Sequence, residues 1–245
     1  MRLLVLGGTA EARELAGLLH QRIEVISSLA GRIADPALPP GEVRIGGFGG
    51  ADGLRNWLAH AHIDAVVDAT HPFAATITTH AAQACKQLGM PHLVLHRPPW
   101  DAERAALVGS DVEAAQHVAA KGYERVFLTT GRSGAAAFRD SKAWFLIRVV
   151  TAPDPAGLPA EHRLLFSRGP YRYDDEYALM SQNNVDVLVT KNSGGVFTRA
   201  KLDAAGELGI DVVMIRRPEL PDGLTTVASV SEAQQWVLSR DNGAE

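Results

Sequence analysis

The feature that most limits what this chain can fold into is a repeated unit. A short, almost wholly apolar run is followed by a turn rich in glycine, hydroxyls and charge, and then by a helical stretch. The apolar runs fall at 2–6, 24–27, 42–45, 65–68 and 92–95, and again at 125–129, 144–149, 185–189 and 211–215. Strands this short and this apolar are expected where both faces of a parallel sheet are covered. Helical patterns lie at 10–20, 52–61, 74–88, 112–121, 133–138, 174–183, 196–208 and 231–238. In the first of them Ala12, Leu15, Ala16, Leu18 and Leu19 share one face, with Arg13 and Glu14 outside it. Strand–helix alternation of this kind predicts an α/β fold built on doubly wound parallel sheets.

The alternation is interrupted once. His96-Arg97-Pro98-Pro99-Trp100 continues neither a strand nor a helix, because two prolines remove two donors and fix φ. Two Rossmann-like halves with a cleft between them are therefore expected: residues 1–100, residues 101–240, and a frayed tail at 241–245. The proline-rich stretch 152–163 reads as a loop.

Composition narrows the partners. With 46% hydrophobic and 21% charged residues the chain has a core to bury, which excludes a disordered protein. A net charge of −4 without a dense Lys/Arg stripe argues against nucleic acid. No apolar run approaches the ~18 residues of a membrane span, so no membrane partner is expected. The apolar start is cut short by Gly7-Gly8, below the ~7–15 residues of a signal-peptide core. The single cysteine, Cys85, excludes an internal disulfide and sits in an Ala-rich helical pattern, so it reads as core. A cytoplasmic location follows as the simplest expectation. Oligomeric state is left open.

Ligands of open α/β sheets bind at the carboxyl ends of the strands. After the first run stands Gly7-Gly8-Thr9, where glycine lets backbone approach a pyrophosphate and the next helix offers free N–H groups. The motif is not GxGxxG, and a plain tight turn is the alternative. NAD sites carry an acid roughly 20 residues past the first glycines, to grip the ribose 2′-hydroxyl. Here Ser27-Ser28-Leu29-Ala30-Gly31-Arg32 supplies hydroxyls and a cation instead, which suits a 2′-phosphate and favours NADPH. A solvated Arg32 is the alternative. After the third run, Gly46-Gly47-Phe48-Gly49-Gly50 costs so much backbone entropy that close approach of a ligand is the better reading. Phe48 is placed to cover an adenine or a nicotinamide. Thr70 and His71 follow the fourth run, towards the nicotinamide end, and His71 also reads as a helix-start residue.

The second half repeats the pattern. Thr129-Thr130-Gly131-Arg132, Ser167-Arg168-Gly169 and Thr190-Lys191-Asn192-Ser193-Gly194-Gly195 each combine hydroxyls, a cation and glycine, a set suited to phosphate or carboxylate. Other chemistries fit less well. No Tyr-x-x-x-Lys pair, P-loop or G-x-S-x-G elbow occurs, and the close pairs His60/His62 and His92/His96 have no supporting ligands, so no metal is expected.

Together these residues resemble the precorrin-6A reductase (CobK/CbiJ) family. The resemblance is carried by GGTAEAR at 7–13, SLAGR at 28–32, GGFGG at 46–50, DATHPFA at 68–74, RPPW at 97–100, TTGR at 129–132 and TKNSGG at 190–195, with Arg217-Pro218 a weaker match. It is their order and spacing, rather than any one segment, that is specific. The resemblance implies NADPH-dependent reduction of a ring-D double bond of the metal-free macrocycle precorrin-6A, giving precorrin-6B, in the making of the corrin ring. It implies a polycarboxylate tetrapyrrole substrate and two Rossmann-like domains that exchange a strand, in which case a boundary at 97–110 is too simple. By resemblance Gly7, Gly8, Thr9, Ser28 and Arg32 bind NADPH, with Gly46, Gly47, Phe48, Gly49 and Thr70 at the same site. His71, Thr130, Arg132, Arg168, Lys191, Ser193 and Gly194 then face the substrate or the cofactor's phosphates. No proton donor stands out beyond His71, and water could serve. A cobalt-containing substrate, another reductase or epimerase on the same scaffold, and a non-catalytic NADPH-sensing module are the rival readings.

Overall fold

The computed structural model describes residues 1–31 and 38–241. The chain divides into two compact units: Met1–Pro98 joined by Pro218–Glu245, and Pro99–Arg217.

The first unit begins β1 (Arg2–Leu6), α1 (Ala10–Leu19), β2 (Glu24–Leu29), β3 (Glu42–Ile45), α2 (Gly50–His60), β4 (Ala65–Asp68), α3 (Ala75–Leu88) and β5 (His92–Leu95). The chain then enters the second unit with β6 (Ala105–Val108), α4 (Asp111–Lys121), β7 (Arg125–Leu128), β8 (Trp144–Val149), β9 (His162–Phe166), α5 (Tyr173–Gln182), β10 (Val187–Lys191), α6 (Ala200–Leu208) and β11 (Asp211–Ile215). It returns to the first unit for β12 (Thr225–Val227) and α7 (Val230–Asp241).

Each unit holds one six-stranded sheet, in the orders β3-β2-β1-β4-β5-β12 and β9-β8-β7-β10-β11-β6, with every pairing parallel. Both are the 3-2-1-4-5-6 order of dinucleotide-binding folds, in which the order reverses beside the first strand and leaves a crevice at the strand ends. The sixth position is exchanged in sequence. The strand after β5 completes the second sheet, and the strand after β11 completes the first. The expectation of a second half running from 101 to 240 is corrected accordingly: residues 218–241 belong to the first unit.

Alternation along β1 explains the first core. Leu3 and Val5 pack on one side with Leu15, Ala16 and Leu19 of α1 and Ala233 and Val237 of α7. Leu4 and Leu6 pack on the other with Leu54 and Leu58 of α2 and Ala81, Ala84 and Cys85 of α3. In the second unit Phe127, Leu146 and Leu188 pack against Met180, Ala204 and Ala205 of α5 and α6. The Cys85 thiol is pushed up to about 12, first by burial and then by Asp68, as suits an inert core residue.

The helices start where local chemistry dictates. Ser110 Oγ accepts from Glu113 N at 3.1 Å while Glu113 returns to Gly109 N at 2.8 Å, and Ser229 with Glu232 repeats this capping box before α7. The expected helix at 133–138 is only a 3-10 turn at Ala135–Phe138, and the one expected from 196 begins at Ala200. In the second case Gly194 and Gly195 hold φ of +65° and +74°, and the chain is still turning.

Candidate functional site

In the first unit four loops meet the carboxyl ends of β1 to β4. The β1 loop is tied down from both sides. Gly7 N donates to Ser28 O at 2.9 Å, and Gly8 takes a φ of +107° that an L side chain rarely adopts. Thr9 caps α1: its Oγ accepts from Ala12 N at 3.0 Å and donates to Ala69 O at 2.7 Å. With its hydroxyl so committed, Thr9 fixes the loop between β1 and β4 and leaves the anion-binding capacity to the start of α1.

Glu11 stands in the first turn of that helix, where a carboxylate would repel an anionic ligand. Its Oε2 lies 2.9 Å from Arg97 Nη1, and both side chains are largely buried. Burial lowers the Arg97 guanidinium below its ordinary value, and Glu11 counters this. The pair neutralises Glu11, which explains how an acid is tolerated there. Arg97 belongs to the RPPW segment, and nothing in its local sequence signals this partner.

At the ends of β2 and β3, Ser27 and Ser28 are buried. Arg32 lies outside the described residues. A different arginine is present: Arg44, which register places beside Ser28. Its Nη1 donates to Ser28 Oγ at 3.2 Å and to Gly46 O at 2.7 Å, and its Nη2 to Gly47 O at 2.6 Å. The guanidinium carbon lies 3.7 Å from the centre of the Phe48 ring, which meets Trp57 edge to face at 5.3 Å. Phe48 is thus a platform for Arg44, anchored in the core, where a cover for a ring system was expected. The glycines around it differ in purpose. Gly46, Gly49 and Gly50 have φ of +121°, +80° and +92°. Gly47 does not, and a Cβ built on it meets nothing within 4 Å. Among the described residues neither strain nor crowding requires glycine at 47; open space beside the backbone is what it provides.

After β4 the buried Asp68 organises the ATHPFA turn. Its Oδ1 accepts from Thr70 N at 3.0 Å and Thr70 Oγ at 2.6 Å, and its Oδ2 from Thr78 Oγ at 2.6 Å. The Thr70 hydroxyl is therefore a structural donor. His71 Nδ1 accepts from Phe73 N at 3.2 Å, which selects the neutral ring carrying its proton on Nε2.

In the second unit the ends of β7 and β10 are joined by Lys191, whose Nζ donates to Thr130 O at 2.8 Å. Ser193 N and Oγ both turn back to Lys191 O. Asn192 is buried, and its amide exchanges hydrogen bonds with the Trp100 backbone at 2.8 and 3.1 Å. Trp100 Nε1 closes the loop on Gly195 O at 2.7 Å, and Arg217 Nε holds Asn192 O at 2.7 Å. Thr130 is thereby joined to the turn that carries Lys191, Ser193 and Gly194. Arg132 is exposed and reaches Thr151 Oγ at 3.3 Å. Arg168, also exposed, lies on a separate loop, which Tyr171 N joins to Phe197 O at 3.1 Å. Arg148, near the end of β8, is buried and paired with Glu176 at 2.9 and 2.6 Å. Beside them the buried Lys201 is pushed down to about 7 by its desolvation and by Arg148, with Glu176 opposing.

Among the described residues no three His, Cys, Asp or Glu side chains are gathered as a metal site would need, and no helix is long and apolar enough to cross a membrane. The arrangement offers instead two sheets whose carboxyl ends present backbone N–H groups, glycine and cations, suited to anionic ligands.

Comparison with known proteins accounts for both sheets at once. The family model described as precorrin-6x reductase CbiJ/CobK matches residues 2–238. The precorrin-6A reductase of Mycobacterium tuberculosis (strain CDC 1551 / Oshkosh) is 65% identical over 236 residues, covering 96% of this chain and 97% of that protein. That of Rhodococcus erythropolis is 52% identical over 242 residues, covering 96% and 97%. A solved structure of CobK precorrin-6A reductase superposes with a TM-score of 0.90 at 36% identity, covering 98% of this chain and 96% of its own. Full-length matches in sequence and in the exchanged two-sheet architecture agree, and the chain belongs to the precorrin-6x reductase CbiJ/CobK family.

Proposed function

We propose that the protein reduces precorrin-6A to precorrin-6B in cobalamin biosynthesis, with NADPH as the hydride source and the metal-free macrocycle as substrate. Membership of the family over nearly the whole chain carries this reading. NADPH bound at the ends of β1 to β4 would supply a hydride to one carbon of a ring-D double bond, and a proton completes the other.

The residues present fit that cofactor. Glu11, in the first turn of α1, is paired with Arg97, so a pyrophosphate at the positive helix end does not meet an uncompensated carboxylate there. The described end of β2 carries hydroxyls where NAD sites carry an acid, which supports a phosphorylated ribose. Gly47 leaves the backbone open to a close ligand. Thr70 and His71 are held by Asp68 and by the Phe73 amide, and the His71 imidazole is the group of this turn that would pass a proton. In the second unit Lys191, Arg132 and Arg168 are the cations, and Ser193 and Gly194 the turn beside Lys191, that would anchor a polycarboxylate. Catalysis then rests on positioning and electrostatics rather than on covalent chemistry from the protein.

The test is anaerobic incubation of the protein with precorrin-6A and either NADPH or NADH, followed by the absorbance of the macrocycle. Turnover with NADPH well above that with NADH is expected. No spectral change with either cofactor would overturn the reading, and turnover confined to the cobalt-containing macrocycle would overturn the choice of substrate.

A further inference from the structure

Arg44 is a half-buried cation whose described hydrogen-bond partners are a serine hydroxyl and two carbonyls, none of them a carboxylate. Taking a charge out of water is costly unless an opposite charge completes it. Burial lowers the guanidinium below its ordinary value, as expected of a cation partly desolvated. The three described bonds engage three of its five N–H donors. Stacking on Phe48, at 3.7 Å, fixes the plane of the fork, and Phe48 is itself braced by Trp57. This is a preorganised planar cation, of the kind that takes a phosphate through paired hydrogen bonds.

Its place in the sheet says which phosphate. In a 3-2-1-4-5-6 sheet a dinucleotide lies across the crevice beside the first strand, and the ribose carrying adenine reaches the end of the second. Ser28 is the penultimate residue of β2, and Arg44 is its register partner on β3. The Arg44 guanidinium thus stands where an acid would receive a 2′-hydroxyl in an NAD site. The open space beside Gly47, whose carbonyl Arg44 holds, adjoins it.

We propose that Arg44 is the specificity-determining residue for the cofactor, receiving the 2′-phosphate of the adenosine ribose on a guanidinium held by Phe48, Ser28 and the Gly46–Gly47 carbonyls. This rests on the reading that the first sheet binds NADPH. A residue that only braced the loop would matter equally to every nucleotide bound there; a 2′-phosphate receptor matters only to those that carry the phosphate.

The experiment is equilibrium binding of NADPH, NADH, 2′,5′-ADP and 5′-AMP to the wild type and to Arg44→Ala, Arg44→Gln and Arg44→Lys, with thermal melts to select folded variants. Arg44→Ala and Arg44→Gln should weaken NADPH and 2′,5′-ADP by about tenfold to a hundredfold, the range for hydrogen bonds to a charged group. NADH and 5′-AMP should change by less than about threefold on the same scale. Arg44→Lys should recover part of the loss, since it keeps the charge without the fork. Equal losses for all four ligands, or no loss for any, overturn the role of Arg44 and leave the cofactor reading standing. A wild type that binds NADPH no more tightly than NADH overturns the cofactor reading, and this proposal with it.

Discussion

At the scale of single residues, glycine 47 separates a turn from a binding site better than the glycines of the first loop do. Gly8→Val would be hard to interpret, because a φ of +107° strains any β-branched residue whether or not a ligand is present. Gly47→Val carries no such penalty and meets no neighbour among the described residues. It should leave the melting temperature nearly unchanged while weakening NADPH by about tenfold or more, roughly 1.4 kcal/mol. Unchanged affinity in a titration would mean that no ligand approaches this backbone. Two of the cations of the second unit should also differ. Lys191 is half-buried and fixed to Thr130, so Lys191→Ala should raise the KM for precorrin-6A by the equivalent of about 1–3 kcal/mol. Arg132 is exposed and screened, and Arg132→Ala should cost about 0–1 kcal/mol. Equal effects would show that burial does not set their contributions. Arg44 was not legible in the sequence because its meaning lies in strand register. Only the pairing of β3 with β2 brings it to Ser28, sixteen residues away. The partner that neutralises Glu11 was not legible either, since Arg97 comes only after β5.

At the scale of elements, the central strands were plain in the sequence and three of the four edges were not. The strands at 2–6, 42–45, 65–68, 92–95, 144–149 and 211–215 fall where the apolar runs place them. The three strands without such a signal, β6, β9 and β12, are all sheet edges. Edge strands cover one side less completely, and HRLLF and TTV keep polar residues that a search for continuous apolar runs passes over. The β9 segment also overlaps the proline-rich stretch read as a loop. Two packing details yield predictions here. A Cβ on Gly53 would lie 1.8 Å from Phe48 O, so α2 and the 46–50 loop can close only over glycine. Gly53→Ala should cost about 1–3 kcal/mol in a denaturant melt and displace Phe48 from under Arg44. An unchanged melt would show that the loop can shift freely. In the second unit, Lys201 binds fewer protons when folded than when unfolded between about 7 and its ordinary 10.5. Stability therefore rises with pH across that window, and the cost of the buried charge is fully present below it. Lys201→Met should raise the melting temperature at pH values below that window, with the gain shrinking towards its upper end. A gain independent of pH would mean that burial does not lower the lysine's pKa in the folded protein.

At the scale of the whole molecule, the exchange of sixth strands means that the last residues of the chain complete the first sheet. Val237 is fully buried against α1 in the first core. Val237→Asp places an unpaired charge there, at a cost of several kcal/mol. NADPH binding should fail with it, although the substitution lies far along the chain from β1; intact binding would show that α7 is dispensable to the first unit. The central claim is narrower: hydride passes from the nicotinamide to a ring carbon of precorrin-6A. Its most direct test is a single-turnover reaction with NADPH deuterated at both C4 positions, read by mass spectrometry after exchangeable positions are washed back to protium. The account predicts a reduced macrocycle that retains one carbon-bound deuterium per molecule and forms in step with NADP⁺. Reduced macrocycle without deuterium, or NADPH consumed while the macrocycle stays unreduced, would contradict it.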